Sequence, residues 1–326
     1  MGGTWIIQAP SKINLHLRVG DRRSNGYHEL ESLFLCLEFG DTLWFEIRKP
    51  DYGDSACSIG LAEGIEPSWV DALVGERNII TQAAALFRER TGFDKSVQVR
   101  LKKRIPLGGG MGGGSSNAAS TLAALNVLAG TDLSQAVMHE MAVTLGSDVP
   151  FFLSGGGVAL VSGCGDIVQP IQTFGRAPLY ADAPFWVVLV NPGFSSDTEA
   201  AYALLDEARR LGVVKPPGRP AEGAGLVEAL EKHPAFWPYE NDFLPVFLAP
   251  GPNGETTPAG KVYRDILAEL RGLKADFWGL SGAGSTCFGI FSHKGVAEQA
   301  VRSLLTRYRF VELTIPLAHS VKAVLQ

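Results

Sequence analysis

Between Gly108 and Gly114 six of seven residues are glycine, interrupted only by Met111, and Ser115-Ser116 follow at once. Glycine loses more backbone freedom on folding than any other residue, so such a run asks for a compensating use. With no side chains in the way, its peptide N–H groups can close directly on a ligand, and a helix placed just after it adds the pull of its dipole on anions. Phosphate is the guest that suits this chemistry. A flexible linker would share the composition. This run, however, is wedged between a one-sided strand and a strongly patterned helix rather than between domains.

Two known phosphate-binding patterns can be compared with it. A Walker loop needs Gly-Lys-Ser/Thr at its end, and here Gly114 runs straight into Ser115 without a lysine, which excludes that pattern. The dinucleotide fingerprint G-x-G-x-x-G is met literally by Gly108, Gly110 and Gly113, with Asp132 at a plausible distance for a ribose contact. Spacing alone leaves that reading open. The context speaks against it. Val97, Val99 and Leu101 alternate with polar residues and run into Lys102-Lys103-Arg104 and Pro106, whereas a dinucleotide-binding strand is buried on both faces and enters its turn directly.

The elements that must position the loop can be read around it. Trp5 to Val19 alternates as a half-buried strand, with Ile13, Leu15, Leu17 and Val19 on one side. Lys12 and Asn14 then share the other face. Leu33 to Ile47 predicts further strand, broken at Gly40-Asp41, and Pro50 to Pro67 predicts a surface excursion. A helix is expected over Asn78–Arg90, ended by Thr91-Gly92, and a longer one over Ser115–Leu128 with Ser115 or Ser116 as N-cap. A further helix is expected around Ser134–Thr144, then strands around Phe151–Leu153 and Val158–Val161. Thr173–Pro184 is rich in turn residues and reads as an interdomain crossing. Beyond it come a strand at Trp186–Val190, a helix at Thr198–Leu211, a Pro/Gly-rich loop at Val214–Gly225, a helix at Lys261–Leu270 and a strand at Cys287–Phe291.

Composition narrows the class. At 326 residues, 46% apolar and 19% charged, the chain is long enough for two domains and too apolar to be disordered. A net charge of −5 offers no general attraction to nucleic acid or to an anionic membrane. The four cysteines form no C-x-x-C pair and are few, so neither a disulfide framework nor a thiolate metal cage is indicated, and a reducing cytoplasm fits best. The N-terminus shows no export signal or lipid anchor, and no apolar stretch reaches the roughly 20 residues that a membrane span needs. The six histidines make no H-E-x-x-H pair, and no dedicated metal site is expected. Small-molecule chemistry remains.

The stretch Pro106-Leu-Gly-Gly-Gly-Met-Gly-Gly-Gly-Ser-Ser-Asn-Ala-Ala119 resembles the phosphate loop of the GHMP kinases. Ala9-Pro-Ser-Lys-Ile-Asn-Leu15, Asn25-Gly-Tyr-His-Glu29, Leu145-Gly-Ser-Asp-Val-Pro150 and Leu280-Ser-Gly-Ala-Gly-Ser285 follow the family's order over nearly the whole chain. The Lys-Ile-Asn-Leu and Gly-Tyr-His-Glu segments are similar to those of the member whose acceptor carries a cytidine diphosphate, in the non-mevalonate isoprenoid pathway. Met111, Ser11, Ser147 and Asn25 depart from the usual residues, and none of these changes removes a reactive group.

The resemblance implies an α+β protein of two domains: residues 1–174, a ribosomal-protein-like α/β domain with the phosphate loop, and residues 175–326, a ferredoxin-like domain that closes the substrate cleft. It implies ATP as phosphoryl donor with Mg²⁺, and nucleotide contacts from Pro106, Leu107, Gly108, Gly109, Gly110, Met111, Gly112, Gly113, Gly114, Ser115 and Ser116. It assigns Asp148 to take the acceptor's proton and Lys12 to orient the hydroxyl and stabilise the transferring phosphoryl. Asn14, Tyr27, His28, Thr198 and Tyr202 are implied on the acceptor side, an aromatic face and an imidazole being suited to a nucleobase. No nucleic acid, membrane or obligate protein partner is implied. The rival within the family is a kinase of homoserine or mevalonate, against which Tyr27-His28 speaks. The rival outside catalysis is an ATP-binding protein that kept the fold, and it is disfavoured because Lys12 and Asp148 are both present.

Overall fold

The structure, a computed structural model, describes residues 4–24, 26–48, 57–171, 185–215, 223–250 and 256–321. The first half of the chain runs β1 (Trp5–Arg22), β2 (His28–Arg48), β3 (Cys57–Leu61), α1 (Val70–Leu73), α2 (Ile79–Thr91), β4 (Ser96–Lys102), α3 (Gly113–Ala129), α4 (Gln135–Leu145), α5 (Val149–Leu153), β5 (Val158–Gly163) and β6 (Ile167–Pro170). Its six strands form one sheet, in which β1 lies along one edge of the long β2 while β4 and β5 share the other edge. Helices α2 to α5 cover one face, over a core that includes Phe34, Phe45, Val99, Leu122, Met141 and Phe151.

The second half runs β7 (Trp186–Asn191), α6 (Thr198–Arg210), α7 (Gly223–Leu230), α8 (Phe243–Leu248), α9 (Pro258–Gly272), β8 (Phe277–Leu280), β9 (Cys287–Phe291), α10 (Lys294–Leu304) and β10 (Phe310–Thr314). Its antiparallel sheet has the order β10-β7-β9-β8. With helices between β7 and β8 and between β9 and β10, this is the split β-α-β topology of ferredoxin-like folds. Strand β7 reads as an unbroken apolar run because both its faces are buried. Val188 and Val190 face the core beneath α6, α9 and α10. Val187 and Leu189 face the other way and join Ile13, Leu15, Leu33 and Leu35 in a third core that belongs to both sheets.

Four expectations are corrected. Strand β2 is not broken at Gly40-Asp41 but bulged, since Pro10 pairs with Gly40 and Ser11 with Leu37. The backbones come so close there that a Cβ on Gly40 would stand 2.2 Å from the Ala9 carbonyl oxygen. The excursion between Pro50 and Pro67 contains β3, whose alternation Cys57-Ile59-Leu61 is partly hidden by Gly60 and which pairs parallel to β4. Phe151–Leu153 is the end of helix α5, because three apolar residues show no period and Pro150 in the first turn presets helical geometry. The fourth concerns the cap of α3, described below. The crossing at Thr173–Pro184, the boundary after residue 174 and most of the Val214–Gly225 loop lie outside the described residues. Among those described, no helix is long and apolar enough to cross a membrane, and none of the four cysteines forms a disulfide.

The join between β4 and the glycine run is braced by a buried ion pair. Lys103 Nζ lies 2.6 Å from Asp41 Oδ2, while Asp41 Oδ1 accepts from the N–H groups of Arg104 (2.7 Å) and Ile105 (2.9 Å). Burial pushes the Lys103 ammonium below its ordinary pKa, and Asp41 opposes that shift. Asp41→Ala would leave a buried cation and two amides without partners. It is expected to lower the unfolding free energy by about 3–5 kcal/mol, read from the urea midpoint, and an unshifted midpoint would contradict the brace.

Candidate active site

Helix α3 starts at Gly113, with Gly112 as its N-cap in the left-handed conformation at φ 66°, so neither serine caps it. A glycine N-cap brings no side chain to the first turn, and Ser116 lies inside that turn, buried, its Oγ without a partner. Four consecutive carbonyls of the loop are held from outside. Gly108 O accepts from Ser196 N–H (2.9 Å), Gly109 O from Thr286 N–H (3.2 Å), Gly110 O from Ser281 Oγ–H (2.8 Å) and Met111 O from Lys12 N–H (3.0 Å). No N–H group from Gly108 to Ser115 has an acceptor among the described residues. The result is a row of unengaged donors running into a helix N-terminus, with a buried hydroxyl beside it. This suits the phosphates of a nucleotide.

The second glycine turn, Ser281–Ser285, links β8 to β9 as a hairpin and is also pressed onto the loop. A Cβ on Gly110, whose φ is 72°, would stand 2.2 Å from Ser281 O and 2.8 Å from Gly284 O. Asn191, at the end of β7, donates to Ser285 Oγ (3.1 Å) and Thr286 Oγ1 (3.0 Å), while Ser196 Oγ–H donates to Ala283 O (2.6 Å). Two segments of the second half thus clamp the loop made by the first. Asn191, Ser196 and Thr286 escaped the sequence reading. Each is a single polar residue at an element's edge, with no periodic signal to mark it.

Strand β1 delivers Lys12 and Asn14 on one face, as their two-residue spacing requires. Lys12 is 3% exposed. Its ammonium lies 2.7 Å from Asn14 Oδ1, 3.3 Å from Asp148 Oδ2 and 4.4 Å from the centre of the Phe34 ring, an arrangement that offsets the cost of burying a charge. Asn14 is fixed in turn, its amide donating to Ser32 Oγ (2.9 Å) and its backbone N–H to Ser281 Oγ (3.2 Å). Asp148 stands at the N-cap position of α5 but caps nothing, and its side chain is 29% exposed. That carboxylate is therefore held by Lys12 and open to a substrate.

A second cluster adjoins this pair. The His28 ring, at the start of β2, stacks on Tyr202 of α6 (centroids 4.9 Å, planes 22° apart), and Tyr202 meets Phe243 edge-on at 4.9 Å. Burial, then the nearby charge of Asp148, pushes the Tyr202 phenol up from its ordinary pKa. His28 Nε2 is 2.8 Å from Asp206 Oδ1, a residue the sequence reading missed although it continues the four-residue spacing of Thr198 and Tyr202 along one helix face. Tyr27 is 65% exposed on the β1–β2 turn. Thr198 is exposed at the first position of α6 and is not drawn into either cluster. A cavity of about 710 Å³, lined by residues such as Phe39, Arg104, Thr314 and His319, shares no residue with the site.

Gly110→Ala combines a disfavoured φ with a backbone clash. It is expected to weaken nucleotide binding about tenfold or more in a fluorescent-nucleotide titration, and wild-type affinity would contradict the clamp.

Comparison with known proteins agrees with this geometry. The family description "GHMP kinases N terminal domain" matches residues 78–156, and "GHMP kinases C terminal" matches residues 246–309. The chain is 34% identical over 296 residues to 4-diphosphocytidyl-2-C-methyl-D-erythritol kinase of Chlorobium phaeobacteroides, covering 91% of this chain and 92% of that protein. It is 32% identical over 306 residues to the enzyme of the same name from Treponema pallidum, covering 93% and 95%. A crystal structure of 4-(cytidine 5'-diphospho)-2C-methyl-D-erythritol kinase superposes with a TM-score of 0.70 at 28% identity, over 97% of this chain and 99% of that one. A homoserine kinase from Cytophaga hutchinsonii shares the fold, with a TM-score of 0.60 at 16% identity over 98% and 97%. By sequence along nearly its whole length and by fold, the chain belongs to the GHMP kinases, ATP-dependent kinases of small molecules.

Proposed function

We propose that this kinase transfers the γ-phosphoryl group of ATP to the 2-hydroxyl of 4-diphosphocytidyl-2-C-methyl-D-erythritol, giving the 2-phosphate and ADP, as a cytoplasmic step of non-mevalonate isoprenoid synthesis. The observation that carries this reading is the neighbourhood of two clusters. Contacts run from the phosphate loop through Lys12 to Asp148, and the charge of Asp148 reaches Tyr202, which stacks on His28. A donor site, a proton acceptor and a platform for a nucleobase are thereby adjacent. Relatives that act on the cytidyl acceptor at 32–34% identity support the same choice.

In this mechanism the N–H groups of Gly108–Ser115 hold the nucleotide's phosphates, and their fixed orientation removes the cost of reorganising them as charge shifts. Asp148 accepts the proton from the acceptor hydroxyl as oxygen attacks phosphorus, and Lys12 orients that hydroxyl and offsets charge on the transferring group. Asn14 keeps the Lys12 ammonium in place. Tyr27, Tyr202 and His28 take the cytidine end, with Thr198 at the rim. Among the described residues no cluster of His, Cys, Asp or Glu is suited to hold a metal ion. Mg²⁺, which neutralises phosphate oxygens when it comes with ATP, would be met by the hydroxyls of Ser115 and Ser116.

The reading is tested by supplying ATP and Mg²⁺ with the cytidyl acceptor, homoserine or mevalonate in turn. Turnover of the cytidyl compound alone is expected, and turnover of either rival in its place would overturn the assignment. Asp148→Asn should lower kcat by roughly 100- to 10,000-fold while nucleotide binding persists, and near-normal turnover would exclude Asp148 as the base.

A further inference from the structure

The contact between His28 and Asp206 has no part in the chemistry described above, yet it is among the most constrained contacts of the acceptor side. His28 is 7% exposed, its ring face lies against Tyr202, and its Nε2 meets Asp206 Oδ1 at 2.8 Å. Helix α6 presents Tyr202, Asp206 and Arg209 at i, i+4 and i+7, a single face. Arg209 anchors that face to the end of β1, donating to Val19 O (2.6 Å), Gly20 O (3.3 Å) and Asp242 Oδ2 (3.0 Å), while Asp242 Oδ2 also accepts from Val19 N–H (2.9 Å). Asp206 is therefore delivered to His28 by a helix that is itself tied to the strand carrying Lys12.

An ionised carboxylate can only accept hydrogen bonds. An imidazole nitrogen facing one at this distance carries the proton, and in the neutral ring the other nitrogen is then left as an acceptor. Cytosine offers a 4-amino donor where uracil offers a carbonyl acceptor. We propose that Asp206 is a positioning residue that sets base specificity: by holding the Nε2–H of His28 it presents Nδ1 as an acceptor to the amino group of a cytosine and disfavours uracil. Asp206 itself does not touch the base. The inference rests on the cytidyl-acceptor reading given above.

The test compares wild type, Asp206→Ala and Asp206→Asn with ATP and either the cytidyl acceptor or its uridyl analogue, alongside thermal unfolding and ¹⁵N spectra of labelled histidine. In Asp206→Ala the KM for the cytidyl acceptor is expected to rise roughly 10- to 100-fold, with kcat and the KM for ATP unchanged, and the cytidyl preference in kcat/KM to fall by a similar factor. Asp206→Asn keeps an oxygen able to accept the same hydrogen bond and should recover most of the loss. In the spectra His28 should be the Nε2–H tautomer in wild type and a mixture in Asp206→Ala. Unchanged KM and preference in Asp206→Ala overturn the proposal. So does an Nδ1–H tautomer in wild type, or a parallel loss of kcat, both KM values and melting temperature, which marks a merely structural residue. If wild type does not turn over the cytidyl acceptor, the functional reading fails and takes the base-specificity role with it. The histidine spectra then still decide, without any turnover, whether Asp206 holds His28.

Discussion

The orientation of four peptide groups governs this site. A peptide unit points its N–H and C=O in opposite directions, so pinning the carbonyls of Gly108, Gly109, Gly110 and Met111 turns the neighbouring N–H groups away from those partners and leaves them unengaged for the nucleotide proposed above. The pins come from three separate segments: β1, the loop after β7, and the connection between β8 and β9, which supplies both Ser281 and Thr286. A loop of glycines would otherwise populate many conformations, and its entropy would count against ligand binding. Preorganisation here is a property of the whole fold.

That dependence explains why the two halves are so closely joined. Ile13, Leu15, Leu33 and Leu35 from one sheet and Val187, Leu189, Phe288 and Ile290 from the other share a core. An apolar interface of this kind resists sliding, and sliding would move Ser196, Ser281 and Thr286 away from the carbonyls they hold. The acceptor side is built by the same means, with α6 fastened to β1 through Arg209 and Asp242.

Much of this was legible in the residues. Elements with a clear period or a clear stop were placed to within a residue or two: α2 with Asn78 and Gly92 at its ends, β4, α4, β7, α6 and β9. The glycine run marked the loop whose N–H groups have no acceptor among the described residues, and the alternation in β1 paired Lys12 with Asn14. Signals failed where local chemistry was outweighed by tertiary contacts. Ser115 is a good N-cap in isolation, but the helix begins two residues earlier, where Gly112 takes the left-handed conformation and lies close against Lys12 and Phe152. Gly40-Asp41 resembles a strand end and instead stays paired with Pro10 and Ala9 beside a bulge at Glu38-Phe39, its aspartate meeting Lys103. Asn191 carries no local mark, and the spacing that puts Asp206 on the face of Thr198 and Tyr202 does not name its partner, since the partners lie 94 and 178 residues away in the chain.

The bulge opposite Pro10 and Ser11 has a consequence for how this chain can vary. It sets the phase of β1, so that odd-numbered Ile13 and Leu15 go to the shared core and even-numbered Lys12 and Asn14 to the site. Substitution along the strand changes one face at a time. Loss or gain of a single residue between the bulge and Lys12 would exchange the faces, sending an ammonium group into hydrocarbon and an isoleucine to the reacting phosphate. Between Pro10 and Leu15 a substitution therefore disturbs the site or the core, whereas a change of length disturbs both at once.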